Sequence, residues 1–363
     1  MPTPFTGSLR ANEIFAAIYN MIISQEVESR NIAGSYGSLV ERARVDGGLH
    51  GDTKLYYETD ALRSYDWTGD LEAPNLLNVY RPADPACQAI VLDIFRQIPV
   101  TVDNYLTKRA WKDEGAFASF NGVVLAWLGD TKKIYDETTY NCFLGTNVTS
   151  VGLQNLTVSL APVNTPADTI DEEAAARIRG QKIAEFIANV MSDMRRPSRA
   201  YNDLQFLRSY SRSDLTIIWN SKYVHEVLKV DLPSIFHSDK VSEELFQEEN
   251  ILPAVYFGSV NAAATAGDGS TVRSLVEQDI GTNHYFAGDL IDVADTAPAG
   301  TSYTVDPKVI CKIVSKLPPF MSAFQTGTSF FNAKALLENH YLTWGHNTLE
   351  HFAGKPFITI SEA

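Results

Sequence analysis

Cysteine is scarce in this chain of 363 residues: Cys87, Cys142 and Cys311 are an odd number at no ligand spacing. That pattern excludes a disulfide scaffold and a thiolate zinc site, and it is what reduced thiols in a cytoplasm look like. Positive charge is also in deficit. With 30 Lys and Arg against 44 Asp and Glu the formal net charge is −14, which argues against gripping nucleic acid by neutralising phosphates over a basic face. No apolar run reaches the ~18 residues of a membrane span. The apolar stretch at 14–23 follows Asn12 and Glu13, is interrupted by Asn20 and is preceded only by Arg10, so it reads as an amphipathic helix rather than a signal peptide. Chemical motifs are missing too. No Gly-x-Gly-x-x-Gly follows a strand, no Gly-x-Ser-x-Gly elbow occurs, and Gly354-Lys355-Pro356 has Leu349 where a phosphate loop needs its first glycine. His225-Glu226 begins like a zinc-protease helix, but Lys229 stands where the second histidine belongs.

Apolar material for a substantial core is present: 45% of residues are hydrophobic, and the length suits two or three compact units. The stretch at 168–228 organises the reading. Thr169-Ile170-Asp171-Glu172 carries a capping-box pattern. Ile183, Phe186, Ile187, Val190, Met191 and Met194 then recur at helical spacing, with Lys182, Glu185, Asn189 and Asp193 on the other side. Arg195-Arg196-Pro197 ends that helix, two cations at the negative end of the dipole and a proline that cannot continue the turn. Leu215-Thr216-Ile217-Ile218-Trp219 is short and β-branched, an interior strand, after which Asn220 or Ser221 caps a helix from Lys222 through Leu228.

Upstream, residues 1 to about 30 read as an extended tip and a helix with Ile14, Ile18, Met21 and Ile22 on one face. The glycine-rich 33–51 reads as a flexible connector. Residues 54–59 and 65–67 favour strand, while 69–85, with Pro74, Pro82 and Pro85, cannot be regular. Residues 88–104 give the strongest β signal, with Ala89, Val91, Ile94, Ile98, Val100 and Val102 as the apolar side. Two arms with a turn-rich tip make a hairpin with too little core of its own. Isolated ribbons are marginal in water, so this one is expected to lie on a neighbouring molecule. A long helix follows over 113–140, in which Gly122 and Gly129 each cost about 1 kcal/mol relative to Ala. Further on, 151–158 reads as strand, 241–250 as an acidic helix, 254–257 as a short strand, 271–280 as strand or extended chain, and 281–300 as a loop. Residues 309–314 are β-rich, 320–331 irregular and aromatic, 335–351 either helix or strand, and 357–360 a closing strand.

Two clusters invite a chemical reading. His340, His346, Glu350 and His351 are spaced at five and six, which does not stack side chains on one helical face, and polar residues near an interface are the plainer account. Arg195, Arg196 and Arg199 suit an anion or a phosphate backbone, but also a solvated helix end. No catalytic residue, cofactor site or metal site is assigned.

The runs Val91-Leu92-Asp93-Ile94-Phe95-Arg96-Gln97-Ile98-Pro99-Val100-Thr101-Val102-Asp103-Asn104 and Ser213-Asp214-Leu215-Thr216-Ile217-Ile218-Trp219-Asn220-Ser221-Lys222-Tyr223, with the order of elements around them, resemble the major capsid proteins of tailed double-stranded DNA bacteriophages, the Hong-Kong-97-type fold. By element order the resemblance covers nearly the whole chain. It implies an α+β fold: an N-terminal arm and helix at 1–51, an extended E-loop hairpin at 52–111, the first part of the P-domain with its spine helix at 112–164, an α/β A-domain at 165–303 and the P-domain return at 304–363. It implies a structural protein, not an enzyme, that self-assembles as hexamers and pentamers into the icosahedral head shell enclosing the phage genome. Its place would be the virion, after assembly in the bacterial host cytoplasm, with no cofactor and no membrane. In such shells the E-loop and N-arm lie across adjacent subunits, so Phe5, Leu9, Tyr65, Trp67, Leu71, Leu76, Tyr80 and Arg81 are the expected inter-subunit contacts. The implied partners are further copies of the chain, a scaffolding protein, a portal, decoration proteins and packaged double-stranded DNA held without sequence specificity. No N-terminal scaffolding segment is recognised, so a separate scaffolding protein is expected, and no Lys–Asn crosslinking triad matches. The acidic charge accords with a wall filled by a motor, which need not attract phosphates. An encapsulin-like nanocompartment shell and an intracellular α/β enzyme using the end of the 215–219 strand are the competing readings. The missing nucleophile, phosphate loop and metal ligands count against the enzyme.

Overall fold

The computed structural model describes residues 38–47, 52–66, 79, 81–103, 114–147, 155–160, 172–228, 250–261, 272–274, 278–280, 283–285, 290–291, 302–306 and 308–363. Its helices are α1 (Ser38–Ala43), α2 (Glu114–Leu144), α3 (Glu172–Met194) and α4 (Ser221–Leu228). The strands run β1 (Arg44–Asp46), β2 (Thr53–Glu58), β3 (Ala86–Asp103), β4 (Thr146–Asn147), β5 (Asn155–Val158), β6 (Thr216–Asn220), β7 (Ile251–Leu252) and β8 (Gly258–Asn261). They continue with β9 (Val272–Ser274), β10 (Gln278–Ile280), β11 (Asn283–Tyr285), β12 (Leu290–Ile291), β13 (Ser302–Val305), β14 (Val309–Val314), β15 (Phe320–Asn332), β16 (Leu337–Asn347) and β17 (Phe357–Glu362). Residues 95–134 and 325–344 belong to one compact unit, and 37–94, 135–324 and 345–363 to the other.

In the larger unit the core is built on a sheet of order β5-β17-β14-β6-β7. β14 is antiparallel to both β17 and β6, and every one of its residues is buried. A strand covered on both faces reads as a continuous apolar run rather than an alternation, which is what Val309-Ile310-Cys311 and Ile313-Val314 give. Period-two geometry then divides the side chains. Ile217, Trp219, Cys311, Ile313, Ile358 and Ile360 pack on Ile183, Ile187, Met191 and Met194 of α3 and Tyr223 and Val224 of α4. Ile218, Val314 and Phe357 join Leu39, Val40 and Ala43 of α1, Tyr140 and Leu144 of α2, and Phe320 on the opposite side. The result is helix, sheet, helix in three layers. Each fully buried aliphatic or aromatic side chain contributes roughly 1.5–3 kcal/mol.

The α3, β6 and α4 stretch folds as its sequence suggests. α3 stops at Met194 before Pro197, and the chain returns through a Ser198–Arg208 bridge, with the Tyr210 amide donating to the Met194 carbonyl at 2.9 Å. Asn220, not Ser221, caps α4: its Oδ1 accepts from the Lys222 amide at 3.0 Å while its Nδ2 donates to the Val309 carbonyl at 2.7 Å. The cap expected at Thr169 lies outside the described residues, as do the helix expected within 1–30 and, but for Asn250, the acidic helix expected at 241–250.

The remaining sheets have the orders β1-β15-β16-β3-β2, β12-β9-β13-β8-β4 and β10-β11. In the smaller unit, Gln97 Nε2 donates to Thr343 Oγ1 at 2.9 Å and Thr101 Oγ1 to Asn339 Oδ1 at 2.6 Å, tying the far half of β3 to β16.

Several expectations need correction. The 33–51 connector is regular over 38–46, because Leu39, Val40 and Ala43 form one turn of apolar face buried in the core. Residues 320–331 are not irregular but lie in β15, and 335–351 is strand over 337–347, as β16, with 335–336 in the preceding turn and 348–351 outside any strand. Residues 254–256 form a 3-10 turn rather than a strand: the Tyr256 amide donates to the Pro253 carbonyl at 3.0 Å, and strands begin on either side. The 281–300 loop contains β11 and β12, and 59–66 has no strand. The ribbon of two long arms is also corrected. β2 pairs only with residues 86–91, from Thr53↔Val91 to Glu58↔Ala86, and the other neighbour of β3 is β16 of the same chain.

Candidate interaction surface

Side chains alternate along the β2–β3 ladder, and the two faces are not what composition predicts. Even-numbered residues of β3 are buried or half-buried and odd-numbered ones exposed, so Ile90 and Leu92 are inside, and Ala89 and Val91, expected inside, are outside. Ile94, Ile98, Val100 and Val102 fall on the expected covered side. On β2 the same parity turns Lys54, Tyr56 and Glu58 inward and Thr53, Leu55 and Tyr57 outward.

The inward set is largely polar, and it is anchored. Gln88 clamps one segment twice, its Nε2 donating to the His351 carbonyl at 2.8 Å and its Oε1 accepting from the Ala353 amide at 3.1 Å. Lys54 donates to the Asp46 carbonyl. The Tyr56 ring meets Phe352 edge-on at 4.9 Å, and the Lys316 ammonium stands 4.8 Å over Phe352. Glu58 lies 3.6 Å from Arg208 and 3.9 Å from Lys355. It fits only because residue 354 is glycine: a Cβ there would stand 1.7 Å from Glu58 Oε2. Just past the strand, Thr59 accepts from Arg208 at 2.6 Å. Asp60 accepts from the amides of Leu207 and Ala61, both at 2.8 Å, and from Arg199 at 2.6 Å. The Leu207 amide, with Arg199 behind it, lowers the Asp60 pKa to about 2.

The outward set is the reverse. Leu55 is 52% and Tyr57 63% exposed, with Val91, Ala89 and Cys87 beside them on the same face. Tyr57 stands opposite Cys87, and a hydrogen bond between their side chains raises the phenol pKa. Beyond the ladder Leu62, Tyr65 and Val79 are also exposed. The ladder thus turns mostly polar groups to its own body and mostly apolar ones to water, the reverse of an ordinary half-buried ladder.

Of the contacts expected from sequence, Tyr65 and Arg81 are exposed, while Phe5, Leu9, Trp67, Leu71, Leu76 and Tyr80 lie outside the described residues. Sequence reasoning missed Leu55, Tyr57, Val91 and the exposed Phe330 and Phe331. Gln88 and Glu58 were the available signal, since their parity opposes that of Leu55 and Val91.

The two chemical clusters dissolve. His346 is buried: its Nδ1 faces the Asn347 carbonyl at 2.9 Å and so carries the proton, leaving Nε2 to accept from the Tyr135 hydroxyl at 3.0 Å. This is a satisfied core histidine rather than a polar residue near an interface. His351 pairs with Asp203 at 2.7 Å and stacks on Phe357, and His340 stands 3.8 Å from Glu338. Among the described residues no group of three or more His, Cys, Asp or Glu is placed to hold a metal ion. Arg199 is taken by Asp60, and Arg195 and Arg196 are an exposed helix end. One buried cation stands out. Lys312, on β14, donates to the Thr146 carbonyl and lies 4.0 Å over the Phe357 ring, and burial holds its pKa well below the usual lysine range. Among the described residues no helix is long and apolar enough to cross a membrane.

The sequence matches no protein-family model and no curated protein. Solved structures are more informative. The capsid structure of Staphylococcus phage Andhra superposes with a TM-score of 0.59 at 13% identity, over 93% of this chain and 87% of that one. The structure of head fiber and inner core protein gp22 of native bacteriophage P68 follows at 0.56 and 11% identity, over 92% and 88%. At such identities the likeness is one of architecture: this chain has the mixed α+β fold found in tailed-phage capsid and head structures.

Proposed function

We propose that this chain is the structural shell subunit of a tailed-phage head, assembling with copies of itself as hexamers and pentamers into a closed icosahedral wall around double-stranded DNA, without catalysis. The observation that carries the reading is a fold likeness running over 93% of this chain and 87% of a phage capsid chain. In this reading 1–51 is the N-terminal arm, 52–111 the E-loop, 112–164 and 304–363 the two parts of the P-domain, α2 its spine helix, and 165–303 the A-domain. The E-loop's polar inner face fixes its root to its own subunit, and its apolar outer face and tip, with Tyr65 and Arg81, reach over the neighbour. A scaffolding protein, a portal and decoration proteins are the further partners, and the wall holds DNA without sequence readout, as a formal charge of −14 allows.

Electron microscopy of the purified full chain, alone and with a scaffolding partner, tests the reading. Rings, tubes or closed shells are expected; a monodisperse monomer under every condition overturns it. Deleting residues 68–84 is expected to leave a folded, soluble protein that no longer assembles, since the root of the loop is held by Gln88, Glu58 and Asp60. An unfolded deletion variant would instead make the tip part of its own subunit's core.

A further inference from the structure

Between α3 and β6 the chain makes a loop, 198–208, whose ends are tied together and whose inside is bonded to itself. The Ser198 amide donates to the Arg208 carbonyl at 2.8 Å and the Arg208 amide to the Ser198 carbonyl at 3.0 Å, which closes the neck. Within it Asn202, fully buried, holds Phe206 twice: Nδ2 donates to the Phe206 carbonyl at 2.9 Å and Oδ1 accepts from the Phe206 amide at 2.8 Å. Gln205 lies between them at φ of 52°, a left-handed conformation that a residue with a side chain keeps only where its surroundings impose it. A compact loop with joined ends and its own internal bonds is a built element, not a slack connector.

What this loop holds is the root of the β2–β3 ladder, on both strands. Its Leu207 amide and Arg199 take Asp60, and Arg208 takes the Thr59 carbonyl, just past the end of β2. The Arg199 nitrogen that donates to Asp60 also donates to the Gln205 carbonyl at 2.7 Å, so the left-handed residue and the root share one cation. On its other side the Leu204 amide donates to the Ala353 carbonyl at 3.2 Å and Asp203 pairs with His351, fixing the segment that Gln88 of β3 clamps. Gln88 stands opposite Tyr56 in the ladder, so the path from β2 through the loop and 351–353 back to β3 is closed. All of these residues belong to the larger unit. A closed path fixes direction where a single contact leaves a pivot. Arg199 is 54% exposed, and pairs so open to water add little stability; direction is what they supply. Direction matters because residues 61–85 leave the ladder and return. Out and back at ~3.3 Å per residue, they can reach at most about 40 Å, and a turn of ~5° at the root moves so distant a point by roughly 3 Å. A shift of that size changes which residues of a neighbour the far end meets. We propose that the 198–208 loop is a bracket that sets the heading of the β2–β3 root, and that in a shell this heading fixes the curvature of the wall. The inference rests on the shell reading for its wall, and adds to it the element on which a single particle size depends.

The test uses the full chain carrying Asn202→Ala, which opens the loop from inside, or Gln205→Gly, which truncates an exposed side chain and frees the backbone where the parent holds φ at 52°. Neither side chain touches the root. In the unassembled chain the amides of Leu207 and Ala353, the donors to Asp60 and Gln88, should exchange their hydrogens about tenfold faster in each variant, while the β14 amides keep the parent's protection. By electron microscopy both variants should assemble at the parent's threshold concentration into particles of several diameters, with open sheets among them, where the parent gives one diameter. Asp60→Ala should give the same spread, and adding Asn202→Ala to it should widen the spread no further, because both act through one contact. Should Asn202→Ala unfold, Gln205→Gly alone carries both readouts. Exchange at the parent's rate overturns the bracket, whatever the chain assembles into. Faster exchange with particles of the parent's single diameter, or with no assembly at all, overturns its link to curvature. A parent that forms no particle of any kind overturns the shell reading and the curvature with it, and the exchange rates then decide the bracket by themselves.

Discussion

Replacing Gly354 by Ala tests how the end of β2 is held against its own chain. The new Cβ would stand 1.7 Å from Glu58 Oε2, 2.4 Å from its Cδ and 2.9 Å from Oε1, so the carboxylate must retreat. Retreat separates it from Arg208 at 3.6 Å and Lys355 at 3.9 Å. These are partly exposed pairs, worth roughly 0.2–1 kcal/mol each, and crowding at a packed site adds roughly 1–3 kcal/mol. Gly354→Ala should therefore lower stability by about 2–3 kcal/mol, and Glu58→Ala, which loses the pairs without the clash, by about 1 kcal/mol. In the double variant the clash has no second partner, and stability should return to that of Glu58→Ala within about 0.5 kcal/mol. Equilibrium urea unfolding of the unassembled chain measures all four corners of the cycle. Additive losses would refute the reasoning, because they would mean that Cβ meets something other than Glu58. Shell yield supplies a second readout: Thr59 and Asp60 follow directly on Glu58, so Gly354→Ala should reduce assembly more than Glu58→Ala does.

Gly145→Ala makes the contrasting case: its Cβ would stand 1.6 Å from the Tyr256 carbonyl oxygen, a backbone atom that no rotamer change removes, so a loss of about 3 kcal/mol or more is expected by urea unfolding. Acid should act through Asp60, whose folded pKa of about 2 lies below its unfolded value near 3.9. The stability it confers is complete above the unfolded value and lost as pH falls through the folded one, so the urea midpoints of wild type and Asp60→Asn should differ at pH 5 and converge towards about pH 2. Lys312 gives the same slope in a higher pH window, there as the relief of a burial cost rather than the gain of a favourable contact. Its folded pKa is depressed, so the unfolded chain binds more protons up to the unfolded value of about 10.4, and wild-type stability rises with pH across that window. Lys312→Met should match or exceed wild-type stability at pH 7 by about 0–2 kcal/mol, and its advantage should shrink in unfolding curves taken up to pH 10.

What the sequence made legible was local. The α3, β6 and α4 stretch is fixed by helical spacing, a proline stop and a β-branched run, all within a few dozen residues, and it folds as read. β14 and β17 were legible because strands buried on both faces read as near-continuous apolar runs, broken in their buried residues only by Lys312 and Thr359. Face assignment on β3 failed because Ala89-Ile90-Val91-Leu92 is apolar at both parities, and period two cannot choose between them. The choice is made by distant partners: residues 351–353 take Gln88, and Arg208 and Lys355 take Glu58. β15 was misread for a related reason, since a Phe330-Phe331 pair breaks the alternation expected of a half-buried strand. Both rings are exposed, which is the condition that produces such a pair.

The division of labour on the β2–β3 ladder follows from the directionality of the forces involved. Hydrogen bonds and ion pairs fall off steeply with angle and distance, so Gln88, Glu58 and Asp60 can fix the heading of the loop root against its own subunit. Apolar burial is non-directional and scales with area, so Leu55, Tyr57 and Val91 can accept a neighbour whose position varies by an ångström or two. The opposite arrangement would let the root pivot on a greasy face while demanding matched polar partners from every neighbour. In the proposed shell the chain would meet copies of itself in both six-fold and five-fold surroundings, and one matched polar geometry could not serve both. Polar groups inward and apolar groups outward is therefore the arrangement in which a single sequence holds its own loop rigidly and still tolerates more than one neighbour.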